Sequence, residues 1–208
     1  MSMSQIIQIS SGFINNVHDP VCGMAATPGG TGASQFAGQL GKTINLDSSE
    51  VRYDSSIGTV FGGNFQYVQC SPTDWDTPVI GQMVFWDAAV AENLYQVVNE
   101  EDTTTLVATS MAGVILSAGL TAGQFTFIQT LGLVKAKFVA SITGTKATGR
   151  PVFISVAGGA SVGLMDIVDD ITTTAGAYFF PRYVGYAVQL PTDGGLTTID
   201  LNQLSPRG

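Results

Sequence analysis

The chain reads as an all-β protein, a β-sandwich or partly closed β-barrel with an extended N-terminal arm, on three observations. From Thr103 to Met165 there is no Asp or Glu, and the stretch runs as short apolar segments punctuated by glycine, the pattern of strands and tight turns. Phe65-Gln66-Tyr67-Val68-Gln69-Cys70 alternates large apolar with polar residues, as a half-buried strand does. No apolar period of 3.6 residues is sustained. Only Asp87–Asn93, where Ala88, Ala89 and Ala91 favour helix, allows one short helical turn.

Taken in order, residues 1–42 form the arm. Ile6, Ile7, Ile9 and Phe13 make a short apolar run, followed by Pro20 and the cluster Thr27-Pro28-Gly29-Gly30-Thr31-Gly32-Ala33-Ser34. That cluster fits neither a helix nor a paired strand. An ordinary N-terminal strand followed by a long loop is the open alternative. Residues 43–208 form the β-rich domain, with 43–80 open as a separate sub-element. Strands are expected at Phe65–Cys70, Met83–Trp86, Leu94–Val98, Thr105–Ala108, Gly113–Leu116, Phe125–Gln129, Lys135–Val139, Val152–Val156, Tyr183–Val188 and Thr197–Leu201. Val, Ile, Thr and aromatic residues dominate them, and Gly, Pro, Asp or Asn bound most of them. Gly81-Gln82-Met83-Val84-Phe85 resembles Gly123-Gln124-Phe125-Thr126-Phe127 and, more loosely, Gly149-Arg150-Pro151-Val152-Phe153. Their unequal intervals exclude a solenoid or propeller. A shared turn-to-strand solution and a coincidence of common strand starts both remain open.

At 208 residues the chain is long enough for one domain with a sizeable core. Charged residues make up 12 %, about half the usual ~25 %. The net charge of −8 disfavours nucleic acid, whose affinity comes from Lys and Arg on phosphates, and anionic membranes. Residues 1–102 hold 11 acids against Lys42 and Arg52, while residues 103–165 hold only the bases Lys135, Lys137, Lys146 and Arg150. Residues 166–208 hold five acids against Arg182 and Arg207. Such segments can pair within or between protomers, or the sheet core is simply poor in charge. Cys22 and Cys70 are the only cysteines, too few for a disulfide framework, and are expected as free thiols. No secretory leader is expected at Met1–Ser10 and no membrane-spanning helix, so the chain is expected to be made in a cytoplasm and to stay soluble.

Candidate chemistry is sparse. His18 is the single histidine and has only Asp19, Cys22 and the remote Cys70 as companions, short of a metal site and poorly placed for a Cys–His nucleophile. There is no Gly-x-Ser-x-Gly elbow, phosphate loop or dinucleotide fingerprint. Asp74, Asp76, Asp87, Glu92 and Glu100-Glu101-Asp102 are the carboxylates from which a glycosidase pair would be drawn. Asp74-Trp75-Asp76 is the most suggestive, but Ser71-Pro72-Thr73-Asp74 reads equally well as a turn, with Trp75 covering a core edge. Asp166, Asp169 and Asp170 spell no calcium loop and read as a solvated turn. No enzyme, cofactor or metal is expected.

Four segments carry a family resemblance: Gly81-Gln82-Met83-Val84-Phe85-Trp86-Asp87, Met111-Ala112-Gly113-Val114-Ile115-Leu116, Ala122 to Gly132 (Ala-Gly-Gln-Phe-Thr-Phe-Ile-Gln-Thr-Leu-Gly), and Tyr183-Val184-Gly185-Tyr186-Ala187. From Gly81 to about Asn202 the chain resembles the small capsid decoration (cement) proteins of tailed bacteriophages. It departs from the compact members in its long region 1–80. The resemblance implies a β-rich module, commonly a homotrimer, on the outer surface of the head, where it clamps neighbouring major capsid subunits. It implies a virion location after synthesis in the host cytoplasm; the acidic charge adds the expectation of no nucleic-acid or membrane partner. The arm tip (Ile6, Ile7, Ile9, Phe13) is then the expected capsid contact, adding a strand to a capsid edge. The alternative is a head fibre or tail component binding host-surface glycan through Trp75, Trp86, Tyr178 or Tyr183.

Overall fold

A computed structural model describes residues 40–47, 52–54, 58–87, 90, 95–99, 111–117, 119–155, 162–169 and 183–202. The protein is all-β. The described residues hold twelve strands and no helix: β1 (Thr43–Leu46), β2 (Arg52–Asp54), β3 (Gly58–Val60), β4 (Gly63–Cys70), β5 (Met83–Trp86), β6 (Gln96–Val98), β7 (Met111–Ile115), β8 (Phe125–Lys137), β9 (Pro151–Ile154), β10 (Met165–Asp166), β11 (Tyr183–Ala187) and β12 (Leu196–Leu201). β2 and β3 form a separate two-stranded ribbon.

The other ten strands form one sheet in the order β1-β4-β6-β5-β7-β8-β12-β11-β9-β10, and β8 also pairs back onto β4. The pairings β4–β6–β5–β7–β8–β4 therefore close a five-strand ring, in which only β4–β6 is parallel. β1 and β4 belong to this same sheet. Beyond the ring, β8 runs on to pair with β12, then β11, β9 and β10 follow. A bridge from Phe138 to Met165 and a bond from Val139 N–H to Met165 O (3.0 Å) draw β10 back to the end of β8. β8 is thus the spine shared by both halves.

The sequence reading divides this spine into two strands, Phe125–Gln129 and Lys135–Val139. The structure corrects that to one thirteen-residue strand. The apparent break at Gln129–Gly132 is a change of partner. The β4 register slips between Asn64↔Leu131 and Phe65↔Gln129, a bulge that bends the strand. Gln129, fully buried, donates its side-chain amide to Leu131 O (3.3 Å) and Leu133 O (2.9 Å) across the bend. Gly132 has φ +98°, and a Cβ there would lie 3.1 Å from Gly62 O. It is glycine because two backbones cross there, and the chain does not turn at this point.

Alternate residues of the ring strands feed two apolar clusters, as a pleated strand requires. Val68, Cys70, Val84, Trp86, Val97, Ala112, Ile115, Leu120 and Ile128 form a cluster drawn only from the ring and its loops. Phe65, Tyr67, Met83, Phe85, Phe125 and Phe127 face the other way, into a larger cluster continuous with Val134, Phe138, Val152, Val184 and Ile199 of the second half. With both faces covered, β5 and β7 are buried along their whole length, which explains why they read as unbroken apolar runs. Each large side chain so buried contributes about 1.5–3 kcal/mol. Cys70, the cysteine described, is a free thiol at 0 % exposure, and burial pushes its pKa up.

The Gly-initiated repeat is a shared structural solution. Gly81, Gly123 and Gly149 all have positive φ (85°, 77° and 76°), and each lies two residues before its strand, β5, β8 or β9. In the first two, the following glutamine closes the turn identically. Gln82 N–H donates to Val79 O (3.0 Å) and its Oε1 accepts Val79 N–H (3.0 Å); Gln124 treats Thr121 the same way at 3.2 and 2.8 Å. Gly41, Gly163 and Gly194 precede β1, β10 and β12 with the same spacing and sign of φ. Glycine supplies the left-handed residue at no steric cost, which is why it recurs in that place.

Candidate docking surface

The residues singled out in the sequence meet different fates. Ile6, Ile7, Ile9 and Phe13 lie outside the described residues, as do His18, Cys22, Glu92, Glu100, Glu101, Asp102, Asp170, Tyr178, the strand expected at Thr105–Ala108 and most of the helical turn expected at Asp87–Asn93. Ser71-Pro72-Thr73-Asp74 bends as the turn reading expects, and Asp74 N–H donates to Ser71 Oγ (3.2 Å). Asn99 clamps Asp76 from both sides, accepting its N–H (2.9 Å) and donating to its carbonyl (2.7 Å). Trp75 packs on the ring cluster and donates its indole N–H to Leu120 O (3.1 Å). Trp86 lies in that cluster, edge-on to Tyr95 with centroids 6.3 Å apart.

Asp166 is a correction. The sequence places it in a solvated turn, yet it is 7 % exposed. Its Oδ1 accepts Thr143 N–H (2.9 Å) and Ile167 N–H (2.8 Å), and its Oδ2 accepts the Thr143 hydroxyl (2.6 Å). Two further carboxylates grip the same loop, residues 141–150. Asp169 accepts Thr145 N–H (2.8 Å) and Oγ1 (2.5 Å) and pairs with Arg150. Asp193 accepts Ile142 N–H (2.9 Å) and pairs with Lys146, whose ammonium and then the Ile142 amide hold its carboxyl below the usual range. Carboxylates from three places in the chain thus serve as acceptors for one loop.

The strongest candidate for function is the outer face of β9–β11–β12–β8. The register aligns Pro151, Tyr186, Asp200 and Leu133 in a row across the four strands. Their neighbours Val152, Ala187, Ile199 and Val134 face the core, so alternation turns this row outward. Thr198 and Lys135 form the next row, Leu196 and Lys137 the next. Tyr186 is 48 % exposed, and Val188 and Leu190 follow it at 46 % and 61 %. The other large exposed apolar residue among those described is Val79, at 45 %. Its turn abuts the same corner of the sheet: Lys137 N–H donates to Gly81 O (2.8 Å), and a Cβ on Gly81 would meet Leu196.

This surface is braced. Phe153, Tyr183 and Tyr186 form an edge-to-face series, with centroids 5.9 and 5.5 Å apart. Asn202 donates to the Tyr183 hydroxyl (2.9 Å), and burial, with a smaller effect from Tyr186, pushes the Tyr183 phenol up to about 12, so it stays neutral. Lys135 donates to Gln189 Oε1 (3.1 Å), which also accepts Thr198 Oγ1 (2.8 Å), and Lys137 donates to Gly194 O (2.5 Å). Both lysines are held by neutral acceptors. Tyr186, Val188 and Leu190 were not named as site residues. Val188 and Leu190 lie beyond the end of β11, and sequence alone does not say which side of a strand is covered.

No protein-family model matches this chain, and no curated protein matches it either. No helix among the described residues is long and apolar enough to cross a membrane.

Proposed function

We propose that the chain is a capsid decoration protein of a tailed bacteriophage, a structural component that binds the outside of the mature head and clamps neighbouring major capsid subunits. In this reading it acts as a homotrimer, without catalysis. The observation that carries it is the outer face around Tyr186, Val188 and Leu190. Large apolar side chains left exposed together mark an interaction site, and three of the four such residues among those described lie here. Preorganised backbone and side chains lower the ordering cost of docking. The segments that carry the family resemblance support the reading further: three of the four, at β5, β7 and the start of β8, are consecutive neighbours in the ring. Preference for the mature shell stabilises it by mass action, and repeated weak contacts around a symmetric oligomer add as avidity.

The test is co-sedimentation of the purified protein with mature and immature heads. Saturable binding to mature heads, with later heat rupture of the occupied shells, is the expected result. Absence from purified particles together with no binding to mature heads ends the proposal.

A further inference from the structure

Residues 41–46 lie along one edge of β4 and are hydrogen-bonded from that side. Gly41 N–H donates to Tyr67 O (2.8 Å) and Tyr67 N–H to Lys42 O (2.9 Å), and β1 then pairs with β4 from Thr43↔Gln66 to Leu46↔Gly63. Among the described strands β1 has no other partner and ends the sheet. Lys42, Thr43 and Asn45 are exposed, Leu46 is buried, and Leu40 packs on the larger apolar cluster. Few buried apolar side chains and an open edge are the marks of a segment that opens locally.

Where this segment stops, β6 takes over the same edge of β4. Gln69 N–H donates to Tyr95 O (3.1 Å), and β6 continues from Gln69↔Gln96. β1 is antiparallel to β4 and β6 is parallel to it, so the two meet head to head, Gly41 against Tyr95. Tyr95 has φ +45° and is the one non-glycine residue with positive φ among those described. A left-handed tyrosine is strained, so its surroundings must hold it there. Its phenol is pressed against Gly41: a Cβ on that glycine would fall 2.3–2.6 Å from three of its ring carbons. Trp86 stands edge-on to the same phenol, with centroids 6.3 Å apart, and Tyr95 packs on the smaller apolar cluster. The tyrosine is thus seated between the segment and the body of the sheet.

We propose that residues 41–46 are a strap that opens while the rest of the sheet stays folded, and that Tyr95 is its clasp. Contact with Gly41 keeps the tyrosine left-handed, and the tyrosine in turn keeps the strap on β4. The two are coupled, so loosening either loosens the other. Opening leaves the backbone groups of residues 63–67 on that edge without a strand partner.

The test is amide hydrogen exchange of the full chain at increasing denaturant, read at the amides of residues 41 and 67 and compared with the core of β8. The strap amides are expected to exchange through a local opening with little denaturant dependence, and β8 through the steeper global one. Tyr95→Gly removes both the phenol and the strain. It is expected to speed exchange at residues 41 and 67 about tenfold, the worth of one aromatic contact, with β8 unchanged. Tyr95→Phe keeps the ring and is expected to match the unmodified chain. Gly41→Ala is expected to open the strap as well, and to lose most of that effect when residue 95 is already glycine. If the strap and β8 amides of the unmodified chain exchange together with one denaturant dependence, the strap is overturned. If Tyr95→Gly leaves the strap amides unmoved, or speeds all amides alike, the clasp is overturned.

Discussion

Replacing Gly81 by alanine should cost far more than replacing Gly149, although both have nearly the same backbone conformation. Each has strongly positive φ, +85° and +76°. A Cβ in that region costs about 1–2 kcal/mol through its approach to the following carbonyl. There the likeness ends. An added Cβ at Gly149 meets nothing within 4 Å, whereas at Gly81 it meets Leu196 Cδ2 at 2.6 Å, Lys137 N at 2.7 Å and Lys135 O at 3.0 Å. Leu196 can rotate away, but the β8 backbone is held between β12 and the Lys137 N–H to Gly81 O bond. Forcing it aside is an overpacking cost of about 1–3 kcal/mol. Gly81→Ala should therefore lose about 2–5 kcal/mol and Gly149→Ala only about 1–2 kcal/mol. Urea unfolding followed by tryptophan fluorescence measures both, with equal m-values as the check that only native stability changed. Equal losses for the two variants would refute the steric argument and leave only the conformational one.

Two further outcomes follow from buried and paired polar groups. The Asp193 carboxyl has its folded pKa depressed, so its stabilising contribution is complete above the ordinary carboxylate value of about 3.9 and is lost as pH falls through the lower folded value. Acidification should therefore weaken the hold on the Ile142 amide, seen as faster hydrogen exchange relative to the β8 core, and Asp193→Ala, which removes the acceptor, should already exchange fast at neutral pH. Gln129→Leu removes two donors from carbonyls at the bend of β8 and should destabilise by about 1–3 kcal/mol, measured by denaturant midpoint; a stability gain would mean that the glutamine does not hold the bend.

The local pleat was legible in the sequence, while the partner choices were not. Met83–Trp86 was located exactly, because aromatic and β-branched residues run unbroken between a glycine turn and Asp87. The glycine-led turns were visible as a repeat, although their common left-handed conformation and the glutamine closure needed coordinates. β10 is two residues long and exists only through its partners β9 and Phe138, so no local propensity announces it. β1 follows a glycine-rich stretch and is four residues long, too short for alternation to stand out. At the candidate surface, Tyr183 was named for its aromatic ring, but Tyr186, Val188 and Leu190 were not. Exposure depends on which sheet face the rest of the chain covers, and that is a long-range outcome.

The uneven charge along the chain acquires a physical meaning from the pairings. Every base of the acid-free stretch takes a partner from residues 166–208: Arg150 with Asp169, Lys146 with Asp193, Lys135 with Gln189 and Lys137 with Gly194. The segregation therefore ties β8 and the 141–150 loop to the β11–β12 hairpin, and Arg150 to Asp169 just after β10, within one protomer. Surface pairs of this kind add little stability one by one, so their greater effect is geometric. They tie the β11–β12 turn to β8 and to the 141–150 loop, with charge matched by charge at Lys146 and Arg150 and by neutral acceptors at Lys135 and Lys137.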